Sequence, residues 1–325
     1  MPVTDVTTDP EQLTMTLTAE FEASVDRLWQ VFTQPRQLER FWGPPGWPAT
    51  FTEFDARAGG YANYHMTSPT GERSSGRWEF LSIEAPRRFE VIDSFVGDDG
   101  EPLDGFPAMR MTFDFEGDAT RSRLRNTTYF DSAEALEQVV AMGAVEGSTM
   151  AMNQLDRVLL GLRAYAEGKG TVVEELDDTH VRITRLIEGP RELVWRAHNE
   201  AELMQQWMLG PDGWVMTDCT PGTAVGDSYR YAWAPVGDTE GEPFGFEGEV
   251  LAIEPLRRVV TTERMSGTEG PSTTNDTQFE EEDGVTLVTT LIEYPDRETR
   301  DMILATGMAE GMEASYARLE TVLAR

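Results

Sequence analysis

Gly210-Pro211-Asp212-Gly213-Trp214 repeats a turn met earlier in the same chain, Gly43-Pro44-Pro45-Gly46-Trp47. Working outward, Leu28-Trp29 returns as Val194-Trp195, and Ile83-Glu84 with Arg87-Arg88 returns as Ile253-Glu254 with Arg257-Arg258. Ala141, Gly143, Glu146-Gly147 and Leu155 return as Ala305, Gly307, Glu310-Gly311 and Leu319. The offset drifts between 164 and 170 residues, as it does when loops change length on a fixed framework. Solenoid repeats run to roughly 20–50 residues, so the repeated unit here is a whole domain. One fold is therefore expected twice, over residues 1–165 and 179–325. Residues 166–178, around Glu167-Gly168-Lys169-Gly170, form the expected polar linker between them.

Each half shows one order of elements. In the second, Val181 to Ile187 alternates like a strand, and Glu188-Gly-Pro-Arg-Glu turns into a helix carrying Leu193, Val194, Trp195 and Ala197. A short helix over Ala201 to Trp207 leads to the Gly-Pro turn. Strand-like runs follow at Ser228–Trp233, Phe246–Ile253, Val259–Met265, Asn275–Glu281 and Val285–Glu293. Apolar residues then recur at helical spacing from Arg297 to Ala324, which predicts one long closing helix. The first half ends alike, through Leu136, Val140, Met150, Leu155, Val158 and Leu162. The reading is α+β, with a curved antiparallel sheet wrapped around a C-terminal helix in each half.

Composition narrows the function. The chain has 325 residues, 58 acids against 27 bases, and a net charge of −31. Residues 1–165 carry 26 acids and 14 bases, and residues 166–325 carry 32 and 13. Such a surface repels nucleic acid and anionic membranes, both of which call for basic patches. A well-solvated acidic surface and adaptation to high salt both produce it. Cys219 is the only cysteine, which excludes an internal disulfide framework and suits a reducing compartment. Met1 to Glu20 lacks a basic start and an apolar run, so no signal peptide is expected there. A cytoplasmic location is expected.

The runs Pro190-Arg-Glu-Leu-Val-Trp195, Gln206-Trp-Met-Leu-Gly-Pro-Asp-Gly-Trp214, Tyr229-Arg-Tyr-Ala-Trp233 and Met308-Ala-Glu-Gly-Met312 resemble the START-like (SRPBCC) superfamily. Within it they resemble bacterial homologues of the activator of the ninety-kilodalton heat-shock protein's ATPase. The resemblance covers residues 179–325, and more loosely 12–163 through Trp29, Phe41-Trp42-Gly43, Gly59-Gly60 and Gly143/Gly147. It implies two helix-grip domains, each with a hydrophobic cavity between sheet and helix, whose relatives bind small apolar or amphipathic molecules. A minority of the superfamily are cyclases or other enzymes, and the family's name raises a third role, as a chaperone-regulating interaction module. Two departures stand out. Asp227 occupies the usual second glycine of a Gly-Gly pair, and Tyr61–Met66 lacks the Tyr-x-Tyr-x-Trp pattern, so the two pockets are expected to differ.

Alternation puts Tyr229, Tyr231 and Trp233 on one face of their strand, with Arg230 and Ala232 on the other. The aligned residues of the first half are Ala62, Tyr64 and Met66. Both sets are either cavity lining or ordinary core. Met308 and Met312 suit an adaptable apolar wall. Trp42, Trp47, Trp207 and Trp214 flank the loops after the short helices, where they either gate a cavity or anchor a loop. Glu263, with Asp93 aligned to it, is the one carboxylate position suited to acid–base chemistry if it faces inward; the other outcome is a solvated or arginine-paired carboxylate. Gly143, Gly147, Gly307 and Gly311 each cost about 1 kcal/mol in a helix interior; they mark either close approach to the sheet or room for a ligand. His65, His180 and His198 have no metal-ligand spacing, Cys219 has no evident base, and no catalytic constellation or cofactor motif is present. The expected ligand-binding residues are thus Trp207, Trp214, Tyr229, Tyr231, Trp233, Glu263, Met308 and Met312, with Trp42, Trp47, Tyr64 and Met66 in the first half. The duplication also raises a pseudo-twofold pairing of the halves, as in a dimer of single-domain relatives.

Overall fold

The computed structural model describes every residue except Met1, Pro69, Asp98, Asp99, Pro107, Pro211, Glu269, Pro271 and Arg325; Pro211 of the repeated turn thus lies outside the described residues. The chain divides into two compact units, Met1–Tyr165 and Ala166–Arg325.

The first unit runs β1 (Val3–Asp9), β2 (Thr14–Phe21), α1 (Val25–Thr33), α2 (Pro35–Leu38), β3 (Ala49–Phe54), β4 (Tyr61–Thr67), β5 (Arg73–Glu84), β6 (Arg88–Val96), β7 (Met109–Gly117), β8 (Ser122–Tyr129), α3 (Ala133–Ala141), α4 (Ala144–Leu159) and α5 (Leu162–Ala166). Its strands form one sheet in the order β1-β2-β8-β7-β6-β5-β4-β3, paired antiparallel throughout. The second unit runs β9 (Val172–Glu175), β10 (His180–Ile187), α6 (Arg191–Asn199), α7 (Ala201–Trp207), β11 (Trp214–Thr220), β12 (Ser228–Pro235), β13 (Phe244–Glu254), β14 (Arg258–Met265), β15 (Thr273–Glu282), β16 (Val285–Glu293), α8 (Arg297–Leu304) and α9 (Met308–Leu323). Its sheet has the same order, β9-β10-β16-β15-β14-β13-β12-β11. Two helix-grip units are therefore present.

Three expectations need correction. First, residues 166–178 are more than a linker. Val172–Glu175 is a strand paired with β10, because Val173 packs on the apolar inner face beside Val181 and Ile183. Thr171 is also tied down, donating from its backbone N and its Oγ1 to Glu313 at 2.7 and 2.6 Å. Second, the closing helix is broken in both units. Gly143 and Gly307 sit between two helices at φ of +88° and +81°, a left-handed conformation that interrupts the helical hydrogen-bond ladder. They are not helix-interior residues. Third, Gly147 and Gly311 do lie inside α4 and α9, but an added Cβ would find nothing within 4 Å at either. Close approach to the sheet is therefore not their role.

The caps repeat with the fold. Ser132 accepts from the backbone N of Ala135 at the start of α3, and Asp296 from that of Thr299 at the start of α8, each satisfying an amide the first helical turn leaves open. The cores differ. In the first unit one cluster runs unbroken from Leu28 and Phe32 on α1, across Trp78, Phe89 and Phe113 on the sheet, to Leu155 and Val158 on α4. Each of those large side chains contributes on the order of 1.5–3 kcal/mol by leaving water. In the second unit two smaller clusters of buried apolar residues stand in its place. One centres on Trp207, Phe279, Tyr316 and Leu319, and the other on Val181, Ile183, Ile292 and Tyr294.

Candidate functional site

Both units place an unusual polar group on the inner face of the sheet, at aligned positions. In β6 the buried residues alternate as Phe89, Val91 and Asp93, so Asp93 shares the core face with two apolar neighbours. It is 8% exposed, and no ion-pair partner accompanies it among the described residues. The Tyr64 phenol donates to Asp93 Oδ1 at 3.1 Å. Rings close around the pair: Trp42 meets Trp78 edge-on at 4.7 Å, and Phe51 lies 5.2 Å from Tyr64. Burial pushes the Asp93 carboxyl up to about 7, against the lowering effect of hydrogen bonds from Tyr64, Trp78 and the Ser94 backbone. The Tyr64 phenol is raised as well, by burial and then by the neighbouring carboxylate.

In the second unit Glu263 takes the aligned place on β14. It is partly buried and likewise has no ion-pair partner among the described residues. Burial raises its carboxyl, while hydrogen bonds from Asn275 and Tyr229 act in the other direction. The Tyr229 hydroxyl donates to the Thr262 carbonyl at 2.7 Å, with Glu263 Oε2 as a second, longer acceptor at 3.4 Å. The Tyr229 and Tyr231 rings lie 5.0 Å apart. Both phenols are raised by burial, and Glu263 contributes to each. Tyr294, just beyond β16, is pushed up to about 12 by burial and by Glu263, with Arg300 opposing; its buried hydroxyl has no hydrogen-bond partner among the described residues.

The carboxylates align, yet the tyrosines beside them do not. Ala62 pairs with Trp78 and Tyr64 with Gly76 across β4–β5. The matching rows across β12–β13 are Tyr229 with Gly248 and Tyr231 with Phe246. Three of these rows hold one large ring each, and Tyr231 with Phe246 holds two. A Cβ on Gly76 would strike the Tyr64 ring, and one on Gly248 would strike the Thr262 carbonyl and the Tyr229 ring. Tyr64 and Tyr229 therefore reach the same carboxylate position from neighbouring rows.

Among the expected site residues, Tyr229, Tyr231 and Glu263 come together, as do Trp42 and Tyr64. Trp233 stacks on Phe244 at 5.2 Å, and Trp214 leans on the same ring at 5.3 Å. Trp233 also donates from Nε1 to the Met208 carbonyl. Trp207 belongs elsewhere: it donates to the Ala197 carbonyl and stacks on Tyr316, which is an anchoring role. Met308 and Met312 pack beside Tyr294 and Ile292, and Met312 touches both apolar clusters. Met66 packs on the first unit's core. Trp47 is partly buried in its turn, where its backbone N donates to the Pro44 carbonyl.

Other expectations resolve as follows. Arg230 faces Asp218 at 3.7 Å, so the Glu263 carboxylate is left to its uncharged neighbours. Asp227 accepts from the backbone N of Thr223 and of Ala224, both at 2.9 Å, and so closes the turn a second glycine would otherwise make. Burial, with Asp218 beside it, pushes the Cys219 thiol up to about 11, so the thiol stays protonated and poorly nucleophilic at neutral pH. His198 is held in the core by Trp207, Phe279 and Tyr316. Among the described residues no group of three or more His, Cys, Asp or Glu is placed to hold a metal ion, and no helix is long and apolar enough to cross a membrane. Trp78, Asn275 and Tyr294 escaped the sequence reading. The signal for Trp78 was present in the alternation of β5, whereas Asn275 and Tyr294 join the site only through the pairing of β14, β15 and β16.

The family model described as "Activator of Hsp90 ATPase homolog 1-like protein" matches residues 22–160 and again 188–324. The chain belongs to this family, in duplicate. Among solved structures it is similar to protein Ms6760 from Mycobacterium smegmatis, at 43% identity over 49% of this chain and 97% of that one, with a TM-score of 0.46. It is also similar to a protein from Arthrobacter aurescens, at 40% identity over 48% of this chain and 91% of that one, with a TM-score of 0.47. A protein from Rhodobacter sphaeroides is 27% identical over 48% of this chain and 99% of its own, with a TM-score of 0.44. No curated protein matches the chain.

Proposed function

We propose that the chain binds a small amphipathic molecule, and that the second unit holds it between β12–β14 and α9, against Tyr229, Tyr231 and Glu263. The observation that carries this reading is the divided core of the second unit. In the first unit, rings from Trp42, Phe51, Trp78 and Phe113 surround the Tyr64–Asp93 pair within one continuous cluster. In the second, Tyr229, Trp233 and Glu263 belong to neither buried apolar cluster. An apolar wall with a few convergent polar groups is the usual composition of a small-molecule site. Gly311 supports the reading, since it forgoes about 1 kcal/mol of helix propensity with no neighbour in contact to account for it.

A carboxyl raised by burial beside phenols also has the makings of a general acid, so turnover of any bound molecule is the accompanying readout. Native mass spectrometry on protein freshly isolated from its own source tests the proposal. The expected result is a reproducible adduct of one small molecule, lost in a Tyr231→Ala variant. A bare-chain mass, with no uptake from a panel of apolar fluorescent probes, overturns it.

A further inference from the structure

The two sheets align row by row, and the middle of the second unit's inner face differs in chemistry from the first. With Asp93 matched to Glu263, the pairings across β6–β7 and β14–β15 set Met109 against Thr273, Val91 against Thr261, Met111 against Asn275 and Phe113 against Thr277. Four apolar positions of the first unit are thus polar in the second. Trp78, in the row beside Asp93, is answered by Gly248. On the next strand the exchange is mixed, with Asn126 answered by Thr290 and Thr128 by Ile292. The neighbours of these residues fix the face they occupy, since Val259 and Phe279 pack in one inner cluster and Ile292 in the other.

Burial differs too. Val91 and Phe113 are wholly shielded, and Met109 and Met111 nearly so. Thr261, Asn275, Thr277 and Thr290 are each partly exposed, so the polar floor stays open where the apolar one is sealed. Its groups are already linked. Thr273 donates to Asn275 Oδ1 at 3.2 Å, Asn275 bonds to Glu263, and Thr261 to Tyr229. Thr277 and Thr290 share one hydrogen at 3.1 Å. A hydroxyl gives one hydrogen and accepts through two lone pairs, and a primary amide gives two. The floor therefore has donors and acceptors to spare, whatever the protonation of Glu263. The Tyr294 hydroxyl, in a residue 2% exposed, has no hydrogen-bond partner among the described residues and lies close enough to Glu263 to feel its charge. Arg185, on the inner face of β10, is engaged by Glu313 at 3.1 Å and Glu320 at 3.3 Å, so it offers no free cation to an anionic head group.

We infer that the second unit takes an uncharged polyhydroxylated head group, a sugar or a cyclitol, seated on Thr261, Asn275, Thr277 and Thr290, with an apolar tail along α9. This rests on the ligand-binding reading above. Ring hydroxyls both give and accept, as threonine hydroxyls do, so they satisfy several groups of the floor at once and in either sense. An alkyl chain laid on the same floor displaces water from those groups and returns no hydrogen bond, which weakens its binding at each one. The opposite wall suits the tail, since Met308 and Met312 pack beside Ile292 and are unbranched and adaptable. The rings of Tyr229 and Tyr231, 5.0 Å apart at the end of the floor, combine an apolar face with a polar tip. Such faces fit the C–H side of a sugar ring.

The test is calorimetric titration of the full chain with octyl β-glucoside below its micelle concentration, with 1-octanol and with octanoate. It is run in high salt, to screen the acidic surface. The glucoside is expected to bind once per chain and about tenfold tighter than octanol, with octanoate weakest. Thr261→Val and Thr277→Val each remove a hydroxyl while keeping the shape, and Thr261→Val restores the residue type found at Val91. Each is expected to weaken the glucoside by about threefold or more, and the pair to bring it to the octanol level, with octanol unchanged or tighter. If the double variant does not fold, either single variant carries the test. Thr274→Val, on the opposite face of β15, alters neither. Octanol binding as tightly as the glucoside, or a glucoside preference that survives the variants, overturns the inference and leaves the binding reading standing. No binding by any of the three probes overturns both.

Discussion

Asp93→Asn isolates what the buried carboxylate costs the first unit. The Asp93 carboxyl ordinarily titrates near 3.8 and is pushed up to about 7 in the fold. A group whose folded-state value is raised stabilises the protein while protonated, and that stability is lost as pH rises through the folded value. The window therefore opens near pH 4 and closes above pH 7. A separation of about three units at 1.36 kcal/mol each gives a loss of about 4 kcal/mol across it, as an order of magnitude. Asparagine keeps the shape and an acceptor for the Tyr64 phenol but does not titrate. The difference in stability between variant and parent should thus be small at pH 4 and grow by several kcal/mol in favour of the variant by pH 8. Two units with separate cores need not unfold together, so scanning calorimetry of the full chain from pH 4 to 8 is the assay. Only the transition of the first unit should move. Parallel stability profiles, within about 0.5 kcal/mol across that range, would refute the burial argument, and so would a variant less stable than the parent at pH 8.

The glycines of the closing helices should respond with opposite signs. Gly147→Ala is expected to stabilise by about 1 kcal/mol, since its surroundings are open, and Gly143→Ala to destabilise by about 1–2 kcal/mol, since φ is +88° there; thermal melting checks both. Gly248→Ala drives a methyl group toward the Thr262 carbonyl and the Tyr229 ring and should cost about 1–3 kcal/mol, read by urea unfolding. Burial lowers His198 from 6.5 to about 4, although its hydrogen bond to Val194 acts the other way. The His198 contribution should accordingly be fully present above pH 6.5, with up to about 3 kcal/mol lost as pH falls toward 4. His198→Phe should remove that part of the acid sensitivity, checked by comparing unfolding at pH 4.5 and 7.

The duplication, the strand pattern and the family were legible in the residues, because they depend on periodicity and on turn chemistry that neighbouring residues carry themselves. Val285–Glu293 and Ala201–Trp207 were read to the residue, and the aromatic face of Tyr229, Tyr231 and Trp233 follows from alternation alone. Glycine has two uses in a helical run, and the sequence does not separate them. Gly143 and Gly307 break the helix by a positive φ, while Gly147 and Gly311 sit inside it beside open space. β9 was missed because four residues carry too little pattern, and its pairing with β10 is what makes it a strand. The sequence by itself determined two helix-grip units and aligned Asp93 with Glu263. Only the tertiary structure decided that both carboxylates turn inward with no arginine paired to them among the described residues, and that their tyrosines come from different rows. Burial and hydrogen-bond direction depend on which strands become neighbours, and those neighbours lie tens of residues away along the chain.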